Sequence, residues 1–80
     1  MKLYFENSNG ISRQIADCHN EQDIFKEIHK FIDSHNKNKP KTKQFKSHYT
    51  RSWSENGKTW FDVGSHTEFF WVDKELDMKG

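Results

Sequence analysis

Five histidines, a single cysteine and scattered carboxylates are the residues of this chain that could bind a metal or act as nucleophiles. A zinc site needs three or four ligands converging on one point, so spacing decides whether they can act together. His29 and His35 stand six apart in a segment with helical periodicity, which turns them about 120° from one another. His19 precedes that segment, His48 falls in an expected strand and His66 in the turn "GSHT". Only His48 and His66 are placed to meet, and no third ligand accompanies them. Cys18 and His19 are neighbours in extended chain, where adjacent side chains point to opposite faces, so a thiolate–imidazole pair does not form. Ser65 and His66 fail for the same reason. Asp62 and Glu68 lie near each other, but Arg51 is the natural partner of Asp62. No Gly-rich phosphate loop, HExxH or GxSxG motif is present. The expectation is a protein without catalytic residues, metal or cofactor. Cys18 then reads as a small buried side chain at a hairpin end, and "GSHT" as a turn with Gly64 at positive φ and Ser65 bonding its backbone.

Eighty residues make one domain, and a chain this short buries only about 60–65% of the surface that it exposes when unfolded. Charged residues are as frequent as hydrophobic ones, at 31% each, a balance that would favour disorder were aromatics scarce. Instead 15% of the chain is Phe, Trp or Tyr, clustered in short runs that bury much area per residue. A net charge of +1 provides no global field to attract nucleic acid or an acidic membrane, so any electrostatic recognition is local. One cysteine excludes a disulfide framework within the chain and suits a reducing compartment. No apolar run approaches the roughly 20 residues of a membrane span, and "MKLYFENSNG" lacks the apolar stretch of a signal peptide. These features lead us to expect a cytoplasmic protein with no membrane partner.

The elements follow from periodicity and turn residues. In "KLYFENSNGISRQIAD", Asn9-Gly10 separates two alternating runs and predicts a two-residue hairpin that sets Glu6 opposite Arg13 and Lys2 opposite Asp17. "NEQDIFKEIHKFIDSHN" opens with Asn20 as N-cap, and Ile24, Phe25, Ile28, Phe31 and Ile32 fall on one stripe of a helix over 21–35. A basic loop, about 36–46, follows, in which Lys37, Lys39, Lys41, Lys43 and Lys46 have no acid among them. Three strands come next. Asn56-Gly57 closes a second two-residue hairpin with Trp53 opposite Trp60, Arg51 opposite Asp62 and Thr50 opposite Val63. The last residues, about 74–80, read as a frayed helix or tail. The predicted fold class is α+β, a single small domain 1–80. Its order is strand-strand-helix-strand-strand-strand, an antiparallel sheet with one helix packed on one face.

That arrangement leaves a question in "KTWFDVGSHTEFFW". Phe61 and Val63 face the helix, whereas Tyr49, Arg51, Trp53, Trp60 and Asp62 share the other face. A four-residue turn after Val63 sends Phe70 and Val72 to join Phe61, leaving Phe69 and Trp71 with the tryptophans; a three-residue turn swaps those pairs. Either way large apolar side chains occupy both faces, and one helix shields only one. Three readings stay open. The tail, the basic loop or a flat-lying Arg51 covers the second face within the chain. Alternatively Tyr49, Arg51, Trp53, Trp60, Asp62 and Trp71 bind a protein, either another copy to make a dimer or a different partner, because Trp, Tyr and Arg anchor interfaces. Or the aromatics stack single-stranded nucleic acid with help from the five lysines of the loop. Asp62 beside Arg51 counts against phosphate binding.

The run "YTRSW" followed by "GKTWFDVGSHTEFFW", from Tyr49 to Val72, resembles the end of small uncharacterised proteins encoded by phages and prophages of Gram-positive bacteria. In these an Arg-bearing strand leads to an aromatic, Asp, Gly-Ser-His turn and a final aromatic strand. The resemblance implies a phage genome and a life in the host cytoplasm. It brings no activity and no site residues, but phage proteins of this size often act by binding a host or phage protein.

Overall fold

The computed structural model describes residues 1–44, 51–65 and 67–76. Five strands and a helix account for most of them. Strands β1 (Lys2–Glu6) and β2 (Ser12–Asp17) form the first hairpin, α1 (Glu21–Asn36) follows, and a short 3-10 turn (Lys41–Lys43) precedes β3 (Arg51–Glu55), β4 (Lys58–Asp62) and β5 (Phe69–Val72). All neighbouring strands are antiparallel, in the order β2-β1-β5-β4-β3, so the last strand in the chain lies at the centre of the sheet. The fold is α+β, as its sequence predicts.

The second hairpin has the predicted register, Trp53 opposite Trp60 and Arg51 opposite Asp62. Asn56 (φ 53°) and Gly57 (φ 79°) both take the left-handed conformation that a type I′ turn demands. The first hairpin departs from expectation. Gly10 (φ 78°) alone is left-handed there, its N–H donates to Asn7 O, and Asn7 N donates to Ile11 O, which makes a three-residue loop. The cause is the Asn7 side chain, whose Oδ1 accepts from both Asn9 N and Ile11 N and holds the wider turn. Glu6 therefore faces Ser12 rather than Arg13, and Arg13 faces Phe5. A register shift between Leu3 and Tyr4, accommodated by an extra residue at Ile15, restores the predicted pair Lys2 and Asp17.

The helix ends one residue later than predicted. Asn20 Oδ1 accepts from Asp23 N at 2.9 Å, and Asp23 Oδ2 accepts in turn from His19 N, so two N-terminal donors are satisfied. Ile24, Ile28 and Ile32 are buried against Leu3, Phe5, Phe61, Val63, Phe70 and Val72 of the sheet, all at most 7% exposed. Phe31 packs on Phe5 and Phe70, and Phe25 meets Phe61 edge-on. Asp62 lies opposite Phe69 and Phe61 opposite Phe70, which is the register of a four-residue turn after Val63. Gly64 has φ 85°, Asp62 Oδ1 accepts from its N–H, and Ser65 Oγ accepts from Thr67 N and Glu68 N. "GSHT" is thus a turn built from its own polar side chains, with His66 outside the described residues.

Residues 73–76 form no helix. Asp73 still bonds to Lys2 of β1, and residues 74–76 then form a strap over the helix-side edge of the second hairpin, where buried Thr59 donates to Lys74 O and accepts from Leu76 N, both at 2.8 Å. Leu76 packs against the core from that side. At the other end of the helix, Gln44 Nε2 donates to the carbonyls of Asn36 and Lys39, so the described part of the basic loop caps the C-terminus of α1. Lys37, Lys39 and Lys41 are exposed there, where cations complement the helix dipole. Lys43 belongs to the 3-10 turn, while Lys46, His48, Tyr49 and Thr50 lie outside the described residues.

Candidate functional site

Alternation along each strand assigns the side chains of the helix-free face. Tyr4 on β1 pairs with Trp71 on β5, Trp71 with Trp60 on β4, and Trp60 with Trp53 on β3. Four aromatic rings thus form one row across four adjacent strands. Tyr4 and Trp71 stack with centroids 4.1 Å apart and planes 12° from parallel, Trp71 and Trp60 are 6.0 Å apart, and Trp60 and Trp53 are 6.4 Å apart at 11°. Phe69 meets Trp53 and Trp60 edge-on. Offset and edge-on pairs each contribute about 0.5–1.5 kcal/mol beyond area burial, so the row partly stabilises itself.

All five rings remain half-buried. Among the described residues, α1 and the 74–76 strap both lie on the opposite face, and only long cationic side chains cross this one. Lys58 Nζ sits 4.1 Å from the Trp71 centroid and 5.6 Å from that of Trp60, and Arg51 Cζ is 5.3 Å from Trp53. The flat-lying Arg51 expected from sequence is present; the described part of the tail, residues 74–76, lies on the other face, and residues 77–80 are outside the described residues.

Residues that are polar, except for Phe69, frame the row on both sides. Beyond it on one side lie Ser12, Glu6, Phe69, Asp62 and Arg51, and on the other Asp17, Lys2, Asp73, Lys58 and Glu55. Arg51 Nε donates to Asp62 Oδ2 at 3.2 Å while Gly64 N occupies Oδ1, so both oxygens of that carboxylate are engaged. Trp71 Nε1 donates to Ser12 Oγ at 2.9 Å, and Ser12 donates onward to Glu6 Oε1 at 3.2 Å. This chain locks the Trp71 ring. The indole N–H groups of Trp53 and Trp60 make no hydrogen bond to described residues.

Of the residues singled out in the sequence, the structure brings together Arg51, Trp53, Trp60, Asp62 and Trp71, while Tyr49 lies outside the described residues. Phe69 lies with the tryptophans, as the four-residue turn requires, whereas sequence reasoning missed Tyr4 and Lys58. A signal for both was present: β1 is KLYFE, β3 is RSWSE and β4 is KTWFD, each a cation, an aromatic and an acid at alternate positions. Alternation puts all three residues of each strand on one face.

The other candidates for chemistry separate. Cys18 is buried, and that burial, followed by the nearby carboxylates of Glu27 and Asp23, pushes its thiol above the ordinary range. His19 and His29 are exposed, and His35 stacks on Phe31. No group of three or more metal-ligating side chains occurs among the described residues, and no described helix is long and apolar enough to cross a membrane. Two clefts among the described residues, of about 580 Å³ between Met1, His19 and Leu76 and about 230 Å³ between Ile15 and Phe31, lie away from the aromatic row.

Comparison with protein-family models, with curated proteins and with solved structures finds no match to this chain. The sheet face is therefore interpreted on its own geometry, as a framed aromatic platform on a small α+β domain.

Proposed function

We propose that the chain is a non-enzymatic protein-interaction module that binds through the row Tyr4, Trp71, Trp60 and Trp53. The observation that carries this reading is the position of that row: four rings cross four strands on the face opposite both the helix and the strap. Its composition supports the same conclusion. Tryptophan, tyrosine and arginine are the residues most enriched among binding hot spots, and they are enclosed here by a polar rim. Catalysis is disfavoured by the occupied carboxylate of Asp62 and the buried, hard-to-ionise Cys18. In keeping with the resemblance of residues 49–72 to small phage proteins, we assign the module to a phage-encoded protein working in the host cytoplasm against a host or phage protein, or against itself.

An aromatic row is also a platform on which bases stack. Two features weigh against single-stranded nucleic acid here. The strand residues of the face and its margin carry five acids, Glu6, Asp17, Glu55, Asp62 and Asp73, against the three cations Lys2, Arg51 and Lys58. The described lysines of the basic loop, Lys37, Lys39 and Lys41, are gathered at the end of a helix that lies on the opposite face.

The test compares the wild-type chain with Trp60→Ser in sedimentation equilibrium and in capture from host lysate, with each captured protein identified and re-tested in purified form. The expected result is an association, with itself or with an identified partner, that Trp60→Ser weakens at least tenfold. A monomer whose captured proteins bind Trp60→Ser equally well would overturn the reading.

A further inference from the structure

Asn9-Gly10 and Asn56-Gly57 lie in the loops of the two hairpins, and both glycines face open space. An Asn-Gly pair is chemically labile, because glycine puts no side chain in the way when its amide nitrogen attacks the asparagine side chain. Once solvent base has removed its proton, that nitrogen bonds to Cγ, ammonia leaves, and a succinimide ring remains. Water then opens the ring. Addition at Cγ gives aspartate; addition at the backbone carbonyl carbon gives isoaspartate, in which the chain runs on through Cβ and Cγ. Ammonia is lost and water gained, with no change of oxidation state.

The fold treats the two pairs differently. In the first loop Gly10 N donates to the backbone carbonyl of Asn7 at 3.0 Å, while Asn7 Oδ1 accepts from Asn9 N and Ile11 N, so the attacking nitrogen belongs to a loop fastened at several points. In the second, Asn56 and Gly57 are exposed, and no described residue bonds the Asn56 side chain. Among the described residues, the hold on the attacking nitrogen is Glu75 of the strap, whose Oε1 accepts from Gly57 N at 3.2 Å. A carboxylate is too weak a base to take an amide proton. While it accepts this bond it shields the N–H from solvent base, and its negative charge opposes the anion that must form. The strap that carries Glu75 is itself fastened on both sides of it, through Thr59 to Lys74 O and Leu76 N and through Ser54 to Leu76 O.

We propose that Asn56 is a site of spontaneous conversion to aspartate and isoaspartate, and that Glu75 of the strap restrains it. Isoaspartate inserts an extra backbone carbon into a turn whose two residues set Trp53 opposite Trp60 and Arg51 opposite Asp62. Aspartate adds a carboxylate next to Glu55 and to the amide that Glu75 holds. Both products weaken the contact of the strap with the turn. The first also breaks the register of the hairpin that carries two of the four rings in the aromatic row.

The sequence lends itself to the measurement. Trypsin cleaves after Arg51 and Lys58 and isolates Asn56 in the peptide 52–58, while Asn9 falls in the peptide 3–13 and serves as an internal reference for global opening. The folded chain is incubated in mildly alkaline buffer, and mass spectrometry with fragmentation follows both asparagines over time. Asn56 should convert ahead of Asn9 in the folded chain, and the two rates should become similar in urea.

Glu75 is exposed, so Glu75→Ala leaves the core intact. It should speed conversion of Asn56 about fivefold, the effect of one ordinary hydrogen bond on local opening, and leave Asn9 unchanged. Glu75→Gln keeps an acceptor oxygen without the charge and should fall between wild type and Glu75→Ala. Asn56→Gly should abolish the reaction at that position with unchanged circular dichroism, because Gly-Gly suits the same turn. An Asn56 that stays intact in the folded chain while it converts in urea, or that converts after Asn9, overturns the site. No acceleration by Glu75→Ala, or equal acceleration at both asparagines, overturns the restraint by Glu75.

Discussion

Thr59→Val removes one oxygen from a site with no exposed surface. In the wild type that hydroxyl donates to Lys74 O and accepts from Leu76 N at 2.8 Å, and it lies 3.0 Å from Ser54 Oγ, which itself donates to Leu76 O. The two hydroxyls have only two protons between them, both used on carbonyls of the strap, so the Ser54–Thr59 contact adds little. Two bonds are therefore lost. The Leu76 N–H is half-buried and loses its acceptor, at a cost of about 1–2 kcal/mol; the carbonyl of exposed Lys74 turns to water at little cost. For a domain of this size that amounts to a fall in Tm of about 4–15 °C. Because the lost bonds all belong to the strap, the effect is local. Hydrogen exchange at the Leu76 amide should accelerate about 5- to 30-fold while amides of β1 and β5 follow only the global change. Ser54→Ala, which spares Thr59, should cost less than half as much. Unchanged protection at Leu76, together with a urea midpoint that does not move, would show that the strap is not held through Thr59.

Asn20→Ala removes the N-cap acceptor of Asp23 N and should lower stability by about 1 kcal/mol, read from urea denaturation, with Asn20→Ser recovering most of it. Iodoacetamide should modify Cys18 far more slowly than a free thiol between pH 7 and 9, with full reactivity on unfolding. The raised thiol also sets a sign: the folded state favours the protonated form, so its contribution is intact below the ordinary thiol pKa and is lost as pH rises through the higher folded value. Titration with single-stranded oligonucleotides at low salt should leave tryptophan fluorescence unquenched. Strong quenching that weakens with salt would transfer the aromatic row to nucleic acid.

Local rules were legible wherever the chain decides matters within a few residues. Asn56-Gly57 follows the expectation because both residues adopt the left-handed conformation that a two-residue turn demands. Asn9-Gly10 carries the same dipeptide but was misread, because Asn7 two residues earlier offers its side chain to the loop backbone and widens the turn. The helix, its cap and its buried stripe followed from periodicity. Strand order did not, since pairing of β1 with β5 joins segments at opposite ends of the sequence through contacts that no local pattern encodes. That gap hid Tyr4 from the aromatic face, although Trp53, Trp60 and Trp71 were placed. The cation-aromatic-acid repeat in β1, β3 and β4 would have linked them, and its meaning becomes visible once the three strands lie in one sheet.

The central position of β5 has a consequence for how the protein is made. Each hairpin can close on its own as it emerges, yet each then presents an unpaired inner edge, on β1 and on β4. The strand that satisfies both edges comes last, and its Trp71 bonds to Ser12 across 59 residues. Until the chain has been synthesised through Val72, the two hairpins can meet only through α1, which packs on core residues of both, and the sheet itself stays split. Closure of the sheet is accordingly a late event of high contact order. During synthesis the nascent chain carries two open strand edges and a set of bare tryptophans, the state in which it is most exposed to aggregation and to chaperones.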